Sequence, residues 1–557
     1  MPCLAKKGVP APIIDLICDM YKGNNTAIRA SSGKGVGINI LRGVKQGDAL
    51  SPLLFNMCIE PLLQIIEERS GGININSGNK VSILAFADDI VLLGQDEREA
   101  QSQVDELHKY LTRLGMTVSA QKSQAFQVGT KRDTWVVKDP IIKVGKERIP
   151  GVDPDQAFRY LGAKIGPWKG VHCGIIVPEI LSMVRRVRKL SLKPCQKMEL
   201  LMKYIFPRYI YHLLINPPGD GVLKMMDSEV RQEVKAILHL VPSIATGFFY
   251  APKNCDGLGL PRFEHIVKLG TLRSALKIKT SRDPAAASLV GDEVDLKLKK
   301  MANSLRINWP ASLEDIDKAK KRLKEEHIKE WANLTSQGQG VADYVKERLS
   351  NVWLKEYKLL KPSRFIDALR MRTNTFGTRT TLARANKNIE VACRRCHAQP
   401  ETLEHVLGLC QYTKGLRMKR HDEVKEFLAN KLRESNEVFV ESTIIVRGNR
   451  YKPDLVVRNE EWLLVVDVTV RYENRDYLLK ARQEKVDKYL PCLEHLKTAY
   501  GLKEGSIVPI VLGSRGTITT KTKESLLELG LNQNEMKTII MNVLRNSIEM
   551  GNIFPDG

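Results

Sequence analysis

The chain has 557 residues, too many for one hydrophobic core, so several domains are expected. Its composition, 43% hydrophobic and 27% charged, is that of a globular protein, and no apolar run approaches the ~18 residues of a membrane helix. Lysines and arginines number 87 against 64 acidic residues, and the formal charge of +23 points to a polyanionic partner, nucleic acid above all. Met1–Pro10 has charges but no signal-peptide core. The ten cysteines are scattered apart from one cluster, which reads as a reducing compartment and a metal site rather than a disulfide framework.

In chain order, Ala11–Tyr21 carries Ile13, Ile14, Ile17 and Met20 at helical spacing, with Gly23 as a stop. Thr26–Arg29 and Val36–Leu41 read as strands around the turn Ser31–Gly35. In Arg42–Asn56, Gly43 and Gly47 let the backbone approach a flat partner and Gln46 offers an amide. Ser51 as cap and Pro52 in the first turn open an apolar helix through Leu63. In Val81–Gly94, the runs Val81–Ala87 and Ile90–Leu93 flank Asp88 and Asp89, giving two buried strands with paired carboxylates at the tip. Adjacent anions there call for a cation, and a hard ion such as Mg²⁺ takes carboxylate and phosphate oxygens together. Asp96–Leu114 is an amphipathic helix with an Asp96/Glu99 capping box, a stripe of Val104, Leu107, Leu111 and Leu114, and Gly115 at its end.

Gly43-x-x-Gln46-Gly47-x-x-x-Ser51-Pro52, followed by Phe86-Ala87-Asp88-Asp89, resembles motifs B and C of reverse transcriptases, as carried by non-LTR retrotransposons and group II introns. Met116–Phe126 resembles motif D, with Lys122 near the departing pyrophosphate. Phe158–Ile165 resembles motif E, with Tyr160, Leu161 and Gly162 in the primer grip. The resemblance makes residues 1–165 a partial polymerase palm, with Asp88 and Asp89 holding Mg²⁺ and Gly43, Gln46, Gly47, Phe86, Ala87, Tyr160 and Gly162 facing substrate. The motif A aspartate would lie on a strand before the Ala11–Tyr21 helix, and Asp15 and Asp19 within that helix are poor substitutes. The chain is therefore expected to be a fragment or truncated copy of a longer protein that alone polymerises poorly or not at all.

Residues 166–290 read as a basic helical thumb that tracks a duplex, with Arg185, Arg186, Arg188 and Lys189 on one helix and Phe248, Phe249 and Tyr250 before a glycine-rich turn. Residues 291–385, including the charge-alternating Lys318–Trp331, read as a helical linker. Cys393, Cys396, His405 and Cys410 form C-x₂-C-x₈-H-x₄-C within 386–420, a closed shell for structural Zn²⁺, with His405 preferred to His397. Its helix is expected over Glu401–Leu409. Arg394, Arg395, Lys414, Arg417, Lys419 and Arg420 surround the cluster and fit a knuckle that grips nucleic acid. In 421–557, Tyr451–Val457 and Trp462–Val470 read as strands and Asp476–Leu490 as a helix. Asp467 inside LLVVDVTV is costly unless it meets a metal or a lysine. Pro453-Asp454, then Asp467, then Lys485 or Lys488 resembles the PD-(D/E)xK nuclease core, which implies Mg²⁺-activated water attacking a DNA phosphodiester. The tail Thr519–Gly557 reads as helix.

The order of palm, thumb, knuckle and nuclease resembles the site-specific non-LTR retrotransposon proteins that insert into ribosomal RNA genes, the type-1 element called R-two. The fold class implied is multidomain α+β. The activity implied is target-primed reverse transcription in the nucleus, on an element RNA template, a ribosomal RNA gene and deoxynucleoside triphosphates, with no membrane. The rivals are a group II intron maturase, whose His-Asn-His nuclease pattern is not seen, and a degenerate nucleic-acid-binding remnant without catalysis.

Overall fold

The computed structural model describes residues 2–27, 37–40, 43–75, 78–171 and 174–554, so the expected Ser31–Gly35 turn lies outside the described residues. The chain divides into two compact units. One comprises Met1–Ile175, His212–Pro217 and Gly270–Leu313, the other Ile176–Tyr211, Pro218–Leu269 and Glu314–Gly557, so residues 166–290 are shared between them.

The first unit mixes helices with short hairpins. Helix α1 (Ala11–Tyr21) keeps the expected bounds, but of its stripe only Ile17 is buried, and Ile13 and Met20 face solvent. The strands Asn25–Ala27 and Gly37–Asn39 pair beyond it. Gly43 and Gly47 sit at φ 80° and 92°, where an L side chain is strained, so the loop needs glycine for its own path. The loop delivers helix α2 (Ser51–Arg69), for which Ser51 is not the cap. The buried Ser51 hydroxyl instead donates to Lys45 O at 2.6 Å, while Asp48 Oδ1 takes the Leu50 amide at 3.2 Å. The loop carbonyl needs a donor, and the serine supplies it.

Strands β1 (Ile83–Phe86) and β2 (Asp89–Leu92) form the expected hairpin, with Phe86 opposite Asp89 and Ala87 at φ 54°. It is not doubly buried as expected: Ile83 lies in the core, whereas Phe86 is 65% exposed. Among the described residues this sheet has two strands, and the core side chains Leu62, Ile66 and Leu107 cover one face. Helix α3 (Glu97–Arg113) is capped by Asp96, which accepts the Glu99 amide at 2.8 Å; Glu99 reaches back to the Gln95 and Gly72 amides. Val104 and Leu107 are buried, but Leu114 lies past the helix end and is exposed. Strands β3 (Gln127–Lys131) and β4 (Thr134–Lys138) form a ribbon that the sequence reading did not pick out. Strands β5 (Phe158–Tyr160) and β6 (Ala163–Gly166) pair through Leu161-Gly162, both at positive φ as a type I′ turn requires.

The second unit opens with helices. Helix α4 (Ile176–Lys189) packs on α5 (Asp220–Ile237), and its Arg185 and Arg188 pair with Glu229 at 2.9 Å and Glu233 at 3.2 Å. Two of the four cations expected to track phosphates are therefore neutralised within the fold. Phe248, Phe249 and Tyr250 are core, with Phe248 edge-on to Trp331 at 5.2 Å between ring centroids. Helix α6 (Leu313–Ala332), within the expected helical linker, buries its apolar side.

After helix α7 (Lys414–Leu432) come β7 (Glu437–Val440), β8 (Ile444–Val446), β9 (Asn449–Tyr451), β10 (Leu455–Arg458), β11 (Trp462–Arg471), α8 (Tyr477–Tyr500), β12 (Glu504–Gly513), β13 (Thr517–Ile518) and α9 (Gln533–Asn552). Five strands form one sheet in the order β7-β10-β11-β12-β13, with β11 and β12 parallel across the α8 crossover. Leu455, Val457, Val466 and Val468 share a core with Leu428 and Ile540, while Val456 and Val465 meet Tyr489, Cys492 and Leu496. Burial of both faces is why β11 reads as a continuous apolar run. The expected strand Tyr451–Val457 is split, because Pro453 lacks an N–H for the ladder. Helix α8 continues past the expected Leu490 to Tyr500.

Candidate functional site

The β10–β11 pairing sets Leu455 opposite Val466, so the same register continued by one residue sets Asp454 opposite Asp467. Residues opposed in this way share a sheet face. Asp467 is 2% exposed, and its Oδ1 meets Lys485 Nζ at 2.6 Å. A lone carboxylate buried there would cost several kcal/mol, and the ammonium offsets that cost. Asp454 Oδ2 accepts the Val468 amide at 2.7 Å and lies 3.1 Å from His421 Nε2. The hydrogen bond to Asp454 outweighs burial and pushes the His421 imidazole up to about 9. His421 lies on α7, far from Asp454 in sequence, and no spacing pattern marks it. Lys488 reaches Tyr489 instead, with its Nζ 3.0 Å from the hydroxyl and 4.6 Å from the ring centroid, and burial, then a hydrogen bond to Asp467, raises that phenol. Geometry thus separates the two lysines: Lys485 touches Asp467 directly, and Lys488 only through Tyr489. Two carboxylates on neighbouring strands with a lysine on the inner one can hold a divalent ion and steady charge on a phosphodiester.

The ligand atoms of Cys393, Cys396, His405 and Cys410 all lie within 4.8 Å of one another. His405 Nε2 faces Cys396 Sγ at 3.2 Å, and Cys393 Sγ faces Cys410 Sγ at 3.9 Å. His397 is exposed at φ 57°, as the preference for His405 requires. The helix expected over Glu401–Leu409 is present from residue 403, and its last five residues, His405–Leu409, form a π turn closed by Cys410 N to His405 O at 2.8 Å. Burial pushes the Cys410 thiol up to about 11, so a thiolate there calls for a cation. Three sulfurs and an imidazole at this separation fit a tetrahedral ion such as Zn²⁺. The surrounding cations mostly hold the fold. Arg394 pairs with buried Glu401 at 2.9 Å, Arg395 donates to Ile553 O, and Arg417 donates to Gly408 O. Lys419 lies 3.8 Å from Glu549, and Arg420 is buried, donating to Ser547 Oγ and Leu407 O. Lys414 remains exposed.

In the first unit Asp88 and Asp89 stand exposed at the hairpin tip. Among the described residues no third acidic, cysteine or histidine side chain completes a ligand group with them. Tyr160 is brought near: burial first, then the Asp89 charge, raises its phenol. Gly162 O lies 3.2 Å from His212 Nε2. Lys122 ends the single turn Ala120–Lys122 and is exposed, as is Gln46. A Cβ at Gly43 or Gly47 would meet nothing within 4 Å, so the loop presents open backbone.

Residues 3–165 match the family Reverse transcriptase (RNA-dependent DNA polymerase), and this part of the chain is a reverse transcriptase domain. Beyond that domain, the chain is homologous to the Pol polyproteins of R2 retrotransposable elements. It is 26% identical over 496 residues to the Retrovirus-related Pol polyprotein from type-2 retrotransposable element R2DM of Drosophila melanogaster, covering 86% of this chain and 45% of that one. Against the polyprotein from type-1 retrotransposable element R2 of Nasonia vitripennis it is 25% identical over 558 residues, covering 98% and 52%. A Popillia japonica R2 polyprotein is 28% identical over 481 residues, covering 83% of this chain and 95% of that one. The chain spans about half the length of the Drosophila and Nasonia relatives. Among the described residues, no helix is long and apolar enough to cross a membrane.

Proposed function

We propose that this chain is a retrotransposon-encoded RNA-directed DNA polymerase joined to a Mg²⁺-dependent DNA endonuclease, acting in target-primed reverse transcription. The observation that carries the reading is the Asp454/Asp467/Lys485 constellation in the same polypeptide as a reverse transcriptase domain. The nuclease would nick one strand, and the 3′-OH would prime copying of the element RNA at the Asp88/Asp89 hairpin. Asp454 and Asp467 would hold Mg²⁺, Lys485 would steady phosphate charge, and Cys393, Cys396, His405 and Cys410 would hold structural Zn²⁺. A ribosomal RNA gene as target and the nucleus as the place of reaction belong to the same reading. A non-catalytic remnant draws on one observation: both nuclease carboxylates already have cationic or imidazole partners.

The test is one coupled reaction. A supercoiled plasmid carrying a ribosomal RNA gene is incubated with the chain, Mg²⁺, an element RNA and labelled deoxynucleotides. The reading expects nicking, and, because Asp88 and Asp89 have no third acidic partner among the described residues, only weak joining of label to the nicked strand, above the level given by an Asp88→Asn/Asp89→Asn variant. Nicking with no such difference removes polymerisation by this chain alone and leaves the endonuclease, and no nicking at all leaves the remnant.

A further inference from the structure

The hairpin formed by β8 and β9 is absorbed by neither the sheet nor the acidic pair. It is a separate two-stranded ribbon, with Ile444 opposite Tyr451, Ile445 opposite Arg450 and Val446 opposite Asn449. One face is anchored: Ile444 and Tyr451 pack on the cluster that includes Tyr489, Cys492 and Leu493 of α8, the helix that carries Lys485. The other face is bare, with Ile445 65% exposed beside Arg450. Tyr451, the last residue of the ribbon, lies three positions before Asp454, and Tyr489 Oη donates to Lys452 O at 3.1 Å to fix that junction. The ribbon therefore stands at the rim of the acidic pair.

Its charges are uncompensated, unlike those around it. Lys425 and Lys452 are both consumed by Glu441. Among the described residues neither Arg447 nor Arg450 has an acidic partner, and Arg450 reaches only the Thr443 hydroxyl at 3.2 Å. The turn is Arg447-Gly448, at φ 50° and 82°. A type I′ turn favours Asn or Asp before Gly, and an arginine in the left-handed region is strained. A strained tip that holds a free guanidinium is what a contact residue looks like.

We propose that the Ile444–Tyr451 ribbon lies in the major groove of the DNA duplex being nicked, with Arg447 and Arg450 on phosphates flanking the scissile bond and Ile445 against base edges. The B-form major groove, about 12 Å wide, admits a two-stranded ribbon, whereas the deep, narrow A-form groove of duplex RNA does not. This rests on the nuclease reading above.

The experiment measures binding separately from cutting. Anisotropy of a labelled DNA duplex is followed with the full chain in Ca²⁺ over a salt series, for the parent, Arg447→Ala/Arg450→Ala and Arg447→Lys/Arg450→Lys. Loss of two phosphate contacts should lower the slope of log affinity against log salt by about 1.8, and the lysine variant should restore it. An RNA duplex of the same sequence should show no such change. An unchanged slope with DNA overturns the proposal, and an equal loss on RNA overturns the groove placement. If the alanine variant melts early, the lysine variant combined with Ile445→Ser decides, through a loss of DNA affinity at constant slope; no loss then overturns the proposal. Should the parent never nick DNA in Mg²⁺, the nuclease reading fails, while the Ca²⁺ binding arms still judge the ribbon.

Discussion

Glu473 lies two residues past the end of the strand that carries Asp467, and it is wholly buried with Arg515. Its Oε1 accepts the Arg515 amide and the Thr517 hydroxyl, both at 2.8 Å, and its Oε2 accepts Arg515 Nε at 3.0 Å and Ser514 Oγ at 3.3 Å. The same guanidinium donates to Gln339 O at 3.0 Å, and Arg372, itself 2.8 Å from Asp256, donates to Arg515 O. The network thus ties the turns at 256 and 339 and the helix end at 372 to the rim of the five-stranded sheet. Glu473→Gln keeps the volume but puts an NH₂ where an oxygen accepted two donors. Two hydrogen bonds are lost, at about 1.5–3 kcal/mol each to a charged group, and a guanidinium is left buried without its anion. The expected cost is about 3–5 kcal/mol, the range for breaking a buried pair from one side. At roughly 2 °C per kcal/mol for a large unit, calorimetry of the full chain should show the second unit melting about 6–10 °C lower. Replacing both partners, Glu473→Leu with Arg515→Met, should cost less than Glu473→Gln alone. Burial alone would raise the Glu473 carboxyl, but the Arg515 charge and the Thr517 hydroxyl hold it below its ordinary value. Its contribution is therefore present above the unfolded carboxyl range and lost as pH falls through the lower folded value. A shift under 2 °C, or a double variant that costs the sum of the singles, would refute this reasoning.

Three further outcomes follow from the site geometry. The Cys393/Cys396/His405/Cys410 cluster should take up one Zn²⁺ per chain, releasing protons, with affinity rising with pH because burial raises the Cys410 thiol to about 11; a proton-neutral, pH-independent uptake seen by calorimetry would count against thiolate ligation. His421, raised to about 9 chiefly by Asp454, should stay protonated at pH 7.5 in an NMR titration without metal and fall toward its ordinary value in Asp454→Asn. Its stabilising effect is full below the ordinary histidine value and disappears as pH rises through about 9. Lys485→Ala should slow nicking by about 10²-fold or more, while Lys488→Ala, which removes a contact to Tyr489 alone, should leave the rate within severalfold.

How much of this was legible in the sequence depends on whether a residue broke a local pattern. Asp467 stood out because a carboxylate interrupts a run of valines and leucines, and the structure gives it the lysine that such burial demands. The cysteine spacing and the hairpin around Asp88 and Asp89 are equally local signals: the four ligand atoms come together and the two strands pair, though the strands are not buried on both faces. What the sequence hides is pairing at a distance. Nothing in the basic face of α4 shows that Arg185 and Arg188 meet glutamates on another helix, and nothing in the sequence of α7 shows that Arg420 is buried. Phe248 and Trp331 look alike whether they stack on bases or on each other, and here they meet each other. His421 and the Glu473–Arg515 pair follow from how α7 and the far end of the sheet pack, which periodicity does not carry.

The proposal that Asp454 and Asp467 gather a metal ion to cut DNA stands or falls on the rate of plasmid nicking against Mg²⁺ concentration. The account predicts a saturating rise under single-turnover conditions for the parent chain and a rate about 10²-fold lower or less for Asp467→Asn at every concentration, with DNA affinity unchanged. Equal rates in the two proteins, or no Mg²⁺-dependent nicking in either, would contradict it.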